Sequence, residues 1–334
     1  MVNGELPHTG RAFRIRRPFA VHYSATRACG QRHFYGPLPL VAAGFPVRQA
    51  TSIALLLALA GSAGAAGDAQ RGRVMFALAG GCGCHTPKDG PVGAGGGEVP
   101  TPFGKFYGPN ITPDKDTGIG AWSDADIDAA IRQGFARAKG VESPAMPYYQ
   151  YAGMSNADVA DLIAYLRSLP PAGRANQPHQ GELPLARWAY RAWRLLFAPS
   201  AAPPAAAPPP GIERGRYLVD HVSICGDCHT PRNRLGVPDS SMYLAGSALG
   251  PGGDPVPNIT AHDTGIGSWD IADIVNLLTQ GMLPDFDNVQ GLMADVIDGH
   301  GGGSGFKDAP ESDQRAIALY LKTVPPIDNK VRDK

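Results

Sequence analysis

Two stretches of this chain repeat apolar residues at i, i+3, i+4 and i+7: DVADLIAYLRSLPP at 158–171 and DQRAIALYLKTVPP at 313–326. That period describes one face of an α-helix, and the paired prolines closing each stretch end it. Ser155, three residues before Asp158, is the expected N-cap of the first. A third segment, LARWAYRAWRLLF at 185–197, sets Trp188, Trp193, Leu196 and Phe197 among Arg187, Arg191 and Arg194. It predicts an amphipathic helix that packs between domains or on a partner subunit, or lies at a membrane interface. No alternating run of useful strand length occurs. Each half of the chain then holds three helices joined by Gly-rich loops, which predicts an all-α fold. The strongest apolar run, IALLLALA at 53–60, is too short to span a bilayer. With Arg48 before it and GSAGAAG after it, residues 47–66 read as a secretory signal peptide cleaved near Ala65 or Ala66.

The helical periods belong to a longer duplication. Arg71-Gly72-Arg73 answers Arg214-Gly215-Arg216, and Cys84-His85-Thr86-Pro87 answers Cys228-His229-Thr230-Pro231. Pro109-Asn110-Ile111-Thr112 returns as Pro257-Asn258-Ile259-Thr260. Thr117-Gly118-Ile119-Gly120 with Trp122 returns as Thr264-Gly265-Ile266-Gly267 with Trp269. The matching blocks bound two domains, 67–175 and 212–330. Between them, 176–211 carries the amphipathic segment and then APSAAPPAAAPPPG, a Pro/Ala-rich sequence expected to be a semi-rigid linker. Residues 1–46, rich in Arg, Pro and Gly and without periodicity, read as a non-native or disordered extension that contains Cys29, with Val47 as an alternative start. A twin-arginine signal at Arg16-Arg17 is a rival reading, with its apolar run placed far downstream.

Composition narrows the function. The 334 residues hold 43 Gly and 32 Pro with 43% hydrophobic and 18% charged residues, a loop-rich globular protein and neither a coiled coil nor a polytopic membrane protein. Formal charge is zero, but residues 1–66 hold seven Arg and one acid, so the exported chain carries a net charge of −6. Nucleic acid is thereby disfavoured as a partner, whereas a basic protein would be steered towards it at rates that fall with ionic strength.

Cys225-Gly226-Asp227-Cys228-His229 is C-x-x-C-H, the spacing that lets two thiols form thioethers to haem vinyl groups while the adjacent imidazole reaches the iron. A redox C-x-x-C would want a βαβ setting, which the sequence lacks. The first repeat is one residue shorter: Cys82-Gly83-Cys84-His85 is C-x-C-H. There haem is held by Cys84 alone, or by both thiols with strain; the competing readings are loss of that haem and a metal site made by Cys82, Cys84 and His85. Met146 and Met293 each lie 24 residues after the repeated tryptophan and are the candidate sixth ligands of irons held by His85 and His229. Met154, Met242 and Met282 lack counterparts and read as packing. His179, His221, His262 and His300 read as structural or surface residues. Asn110 and Thr112, with Asn258 and Thr260, suit a loop that either binds haem propionates or packs the core with Trp122 and Trp269.

Taken together, CHTP, TPFGKFYGPNITPDKDTGIGAWS, PAMPY, LARWAYRAWRLLF, CGDCHTPRN and AIALYLKTVPP resemble the dihaem c-type cytochromes that serve as electron-transfer subunits of bacterial periplasmic or membrane-bound dehydrogenases. The resemblance covers about residues 67–327. It implies two class I cytochrome c folds, with Gly72 and Gly215 of the leading helices against Tyr165 and Tyr320 of the closing ones. It also implies two haem c groups with His/Met ligation. Departures are the short C-x-C-H and the lack of a third haem motif. The expected role is a periplasmic relay, not an enzyme, passing single electrons from a dehydrogenase catalytic subunit to a cytochrome, oxidase or quinone-linked acceptor. The alternative is a dihaem peroxidase-like or thiosulfate-oxidising enzyme.

Overall fold

A computed structural model describes residues 66–101, 104–137, 140–180, 185–198 and 203–331. The expected signal peptide up to residue 65, and the extension before it with Cys29, lie outside the described residues. In the first half, α1 (Ala69–Leu78) begins at Asp68, whose carboxylate accepts from the backbone N–H of Gln70 and Arg71. A tight turn over Gly80–His85 follows, then β1 (Glu98–Thr101) and β2 (Gly104–Tyr107), an antiparallel hairpin with Val99 opposite Phe106. Next come α2 (Asp124–Gln133), a two-residue hairpin of β3 (Phe135–Ala136) and β4 (Gly140–Val141), α3 (Tyr148–Tyr151) and α4 (Asn156–Ser168). Ser155 caps α4 as expected, its Oγ accepting from Asp158 N at 3.0 Å.

After α5 (Ala186–Phe197), the second half runs through α6 (Ile212–Tyr217), a wider turn over Leu218–Val222, α7 (Cys225–His229), α8 (Ile271–Gln280), α9 (Leu292–Asp298) and α10 (Glu311–Leu321). The architecture is mostly helical. The two short hairpins correct the expectation that strands are absent: strands of two to four residues are too short for an alternation to register in sequence.

Each half is closed by a crossing of its first and last helices, α1 on α4 and α6 on α10. A Cβ on Gly72 would sit 1.9 Å from Asp161 O and 2.8 Å from Tyr165 Cβ; on Gly215 it would sit 1.9 Å from Ala316 O and 2.9 Å from Tyr320 Cβ. Only glycine lets the backbones approach this closely, and the expected pairing with Tyr165 and Tyr320 is present in both halves. The middle helices are matched too. Ser123 and Asp126 form a capping box on α2, Asp270 and Asp273 one on α8, and both helices end on a left-handed glycine, Gly134 and Gly281.

The two halves share their interior. Phe76, Met154 and Leu162 of the first and Leu218, Val219 and Ile317 of the second belong to one continuous cluster of buried side chains. The proline-rich connection lies on the first half, where Pro204 O and Ala205 O accept from the free N–H groups of Asn156 and Ala157 at the start of α4. Helix α5 spans both halves on its inner side. Tyr190 meets Phe106, Trp193 stacks on Tyr149 with centroids 5.2 Å apart, and Trp193 Nε1 donates to Leu235 O at 3.0 Å. Its outer side, with Leu185, Trp188, Leu195 and Leu196, is exposed. Among the described residues no helix is long and apolar enough to cross a membrane.

Candidate functional site

Both Cys-His motifs sit at the end of a leading helix, and their backbones differ in the way the missing residue demands. Ile224 takes a left-handed conformation (φ 45°, ψ 43°) and starts α7, one helical turn that places Cys225 and Cys228 three residues apart on a common face. In the first half Gly81 is left-handed (φ 66°, ψ 17°), and Cys82 is as well (φ 49°, ψ 48°). With Gly80 (φ 70°) they form a run of three positive-φ residues, and Cys82 and Cys84, two apart, do not share a helical face. Left-handed backbone at a non-glycine residue is a local strain. The glycines Gly97 and Gly108 cradle the result: a Cβ on either would lie 2.4 Å or 1.9 Å from Cys84 O.

The four thiols are free. Burial pushes the thiols of Cys82, Cys225 and Cys228 up to about 12 and that of Cys84 to about 11. Cys84 is nevertheless open to solvent and the others are only half-buried.

The imidazoles are oriented identically. His85 Nδ1 lies 2.8 Å from Pro109 O, and His229 Nδ1 lies 2.8 Å from Pro257 O. A carbonyl can only accept, so Nδ1 carries the proton and the Nε2 lone pair faces away, ready for a metal. Burial lowers the pKa of both rings, keeping them in the neutral form that coordinates. Pro109 and Pro257 open the repeated PNIT blocks. Their carbonyls are functional groups that the sequence reading passed over, although the repetition was there to see.

Met146 occupies a turn between β4 and α3, its N–H donating to Ser143 O at 3.0 Å and its carbonyl accepting from Tyr148 N at 2.8 Å. Met293 lies in the first turn of α9 and packs on the core. The two methionines follow the left-handed glycines Gly134 and Gly281 at the same distance along the chain. Among the unmatched residues, Met154 is fully buried, His179 stacks on Phe106 at 4.7 Å, and His221 Nδ1 lies 3.0 Å from Gln150 O. His262 Nδ1 accepts from Thr264 N at 3.1 Å, and the His300 ring packs on Gly83.

The structure corrects the propionate reading of the PNIT loops. Asn110 Nδ2 donates to Thr117 Oγ1 and Ala172 O, while its Oδ1 accepts from Thr112 N and Oγ1. Asn258 repeats this with Thr264 Oγ1, Ile327 O, and Thr260 N and Oγ1. With 2% and 3% exposure these amides are engaged in tying the loop to the chain beyond the closing helix. Trp122 and Trp269 pack on the core.

The two motifs are neighbours. Asp227 raises the thiols of both Cys84 and Cys228, and burial together with Cys82, Asp227, Cys84 and Cys228 holds the Tyr151 hydroxyl well above its ordinary value. Tyr151 therefore lies near cysteines of both motifs. Among the described residues no group of three or more His, Cys, Asp or Glu side chains is placed to hold a metal ion on its own. Haem is the group this donor set implies, and the residues fit it. Two pairs of free thiols, each followed directly by an imidazole whose Nδ1 is held by a carbonyl so that Nε2 is presented, are the chemistry that covalent haem attachment needs.

A repeated thiol and imidazole pair at the end of a glycine-crossed leading helix defines the class of c-type cytochromes. The Cytochrome c family profile matches residues 69–170. A protein of Cereibacter sphaeroides described as diheme cytochrome c-type is 42% identical over 273 residues, 80% of this chain and 89% of that protein. The gluconate 2-dehydrogenase cytochrome c subunit of Pantoea cypripedii is 38% identical over 267 residues, and the fructose dehydrogenase cytochrome subunit of Gluconobacter japonicus 35% over 263. These matches cover 76% and 77% of this chain but 59% and 52% of those subunits. The chain belongs to the dihaem c-type cytochrome family, electron-transfer proteins rather than catalytic subunits.

Proposed function

We propose that this protein is a periplasmic dihaem relay that takes single electrons from a dehydrogenase catalytic subunit and hands them to a cytochrome, an oxidase or a quinone-linked acceptor. The observation that carries the reading is the repeated imidazole geometry, His85 on Pro109 O and His229 on Pro257 O, each at 2.8 Å. Two tandem class I cytochrome c domains, 67–175 and 212–330, hold one haem c each, joined through residues 176–211. When bound, each haem supplies an iron that gains and loses one electron. Cys225 and Cys228 anchor the second, and Cys84 anchors the first while Cys82 stays a thiol. His85 and His229 are the fifth ligands. Met146 and Met293 are the sixth, excluding outside ligands and raising the potential.

Similarity to the gluconate and fructose dehydrogenase cytochrome subunits supports a dehydrogenase partner. Export follows from the 47–66 leader, and α5 offers a peripheral contact with membrane or partner through exposed Trp188, Leu195 and Leu196 beside Arg191, which stacks on Trp188 at 5.1 Å. The test is intact mass with a pyridine haemochrome spectrum on protein matured in a haem-attaching periplasm. Two covalent haems, one with its α-band shifted towards the single-thioether position, are expected. A single covalent haem refutes the relay.

A further inference from the structure

Each Cys-His motif is covered by the other repeat. Helix α9, which carries Met293, lies against the Gly80–His85 turn, with Val296 facing Gly80 and the His300 ring on Gly83. Helix α3, which follows Met146 through Pro147, lies against the Leu218–Val222 turn and reaches α7. The covers differ in chemistry. The first is made by packing of Val296 and the His300 ring on two glycines. The second is polar: Asp227 Oδ1 accepts from Tyr149 Oη at 3.0 Å and from Gln150 Nε2 at 2.8 Å, and it pairs with the Arg232 guanidinium. Arg232 Nη1 donates to Tyr149 Oη at 2.8 Å, which closes the ring of contacts. Asp227 is the residue between Gly226 and Cys228, the place for which the shortened first motif has no residue.

We infer that Asp227 is a positioning residue for the first haem site although it lies inside the second haem motif. Helix α3 is four residues long, has no side-chain cap, and is too short to hold itself. Its place is set by what its side chains grip, and two consecutive ones grip Asp227. Met146 is joined to α3 by Pro147 and by its carbonyl bond to Tyr148 N. A carboxylate on the second motif thus holds the loop that presents Met146. Without it, the Tyr149 hydroxyl loses its acceptor and Arg232 its counter-charge in a half-buried seam. The inference rests on Met146 being the sixth ligand of the first iron.

The experiment uses the full-length holoprotein and follows the sulfur-to-iron charge-transfer absorption together with the two midpoints of a potentiometric titration. Met146→Leu and Met293→Leu assign one feature to each site. Asp227→Ala and Tyr149→Phe are then compared with them. Asp227→Ala is expected to lose the Met146-dependent feature and lower that site's midpoint while the Met293-dependent feature stays, with Tyr149→Phe shifting the same site less. Loss of only the Met293-dependent feature, or of neither, overturns the inference. If Met146→Leu changes neither feature, the ligand assignment fails and takes the inference with it, which is a distinguishable result. Should Asp227→Ala lose its second haem by mass, Tyr149→Phe and Gln150→Met, which leave the motif whole, decide in its place by the same criterion.

Discussion

Tyr217, at the end of the second half's leading helix, donates its hydroxyl to Asp158 Oδ2 at 2.6 Å, and Asp158 lies in the first turn of the first half's closing helix. The Tyr217 hydroxyl oxygen in turn accepts from Ser155 N at 2.9 Å. Arg214 adds a bidentate pair with Asp313 and lies 3.7 Å from Asp158. Burial, reinforced by Asp158, keeps the phenol well above its ordinary pKa and therefore a donor. This seam, with the continuous core beside it, joins the two repeats.

Tyr217→Phe keeps the ring and removes both bonds, leaving Ser155 N–H without its acceptor in a buried position. A loss of about 1–3 kcal/mol is expected. Denaturant unfolding followed by haem absorbance and by far-UV circular dichroism checks it: the two probes should shift together in one transition, and separate transitions for the halves would contradict the shared core.

Gly72→Ala and Gly215→Ala each force a methyl to within 1.9 Å of a backbone carbonyl oxygen across a helix crossing. The helices must part, at a cost of about 3 kcal/mol or more, beyond ordinary overpacking. Thermal unfolding midpoints should fall by similar amounts in the two variants, since the crossings are alike.

The first motif makes a chemical prediction. Cys82→Ala should leave the intact mass with two haems and the α-band unchanged, because a left-handed Cys82 does not share a face with Cys84. Cys84→Ala should lose one haem. Loss of haem from Cys82→Ala would show that both thiols are joined despite the strain.

Asp114 predicts acid behaviour. Its Oδ1 accepts from Thr117 N at 2.7 Å, Thr117 Oγ1 at 2.8 Å and Asp116 N at 3.1 Å, and these bonds, that from Thr117 N foremost, hold its pKa below the ordinary value. A folded pKa below the unfolded one contributes stability that is present above about 4 and lost as pH falls through the folded value. Asp114→Asn should flatten that acid limb in unfolding free energy measured against pH. In the second half His262 serves the corresponding loop, accepting from Thr264 N.

Helix α5 divides cleanly. Leu195→Ser, at 85% exposure, should change stability by no more than about 0.5 kcal/mol, whereas Trp193→Ala removes a ring held by Tyr149 and a hydrogen bond to Leu235 O. Equal losses in the two variants, by denaturant midpoint, would mean that the outer stripe is not free.

Much of this protein was legible before folding because its information is local or repeated. The 3.6-residue periods of the closing helices, the Ser155 cap and the Cys-His spacing depend on neighbours in the chain. The duplication then pairs Gly72 with Gly215 and Met146 with Met293 without reference to space. Less legible were the short hairpins and the real work of Asn110 and Asn258, whose amides reach carbonyls 62 and 69 residues away. Polar side chains look alike in sequence whether they meet a ligand or a distant backbone.

Sequence by itself determined the family, the helix pairs, the thiols and imidazoles and the one-residue deficit of the first motif, since covalent spacing and periodicity are properties of the chain. Tertiary structure alone decided that each motif is covered by the other repeat, that Asp227 of the second motif grips Tyr149 and Gln150 of the first half, and that Tyr151 comes near cysteines of both motifs. The physical reason is that these contacts join residues far apart in the chain, 77 and 78 residues for the grip on Asp227 and, by subtraction, 216 and 217 for Val296 on Gly80 and His300 on Gly83. They form only when burial of a shared core brings the two halves together.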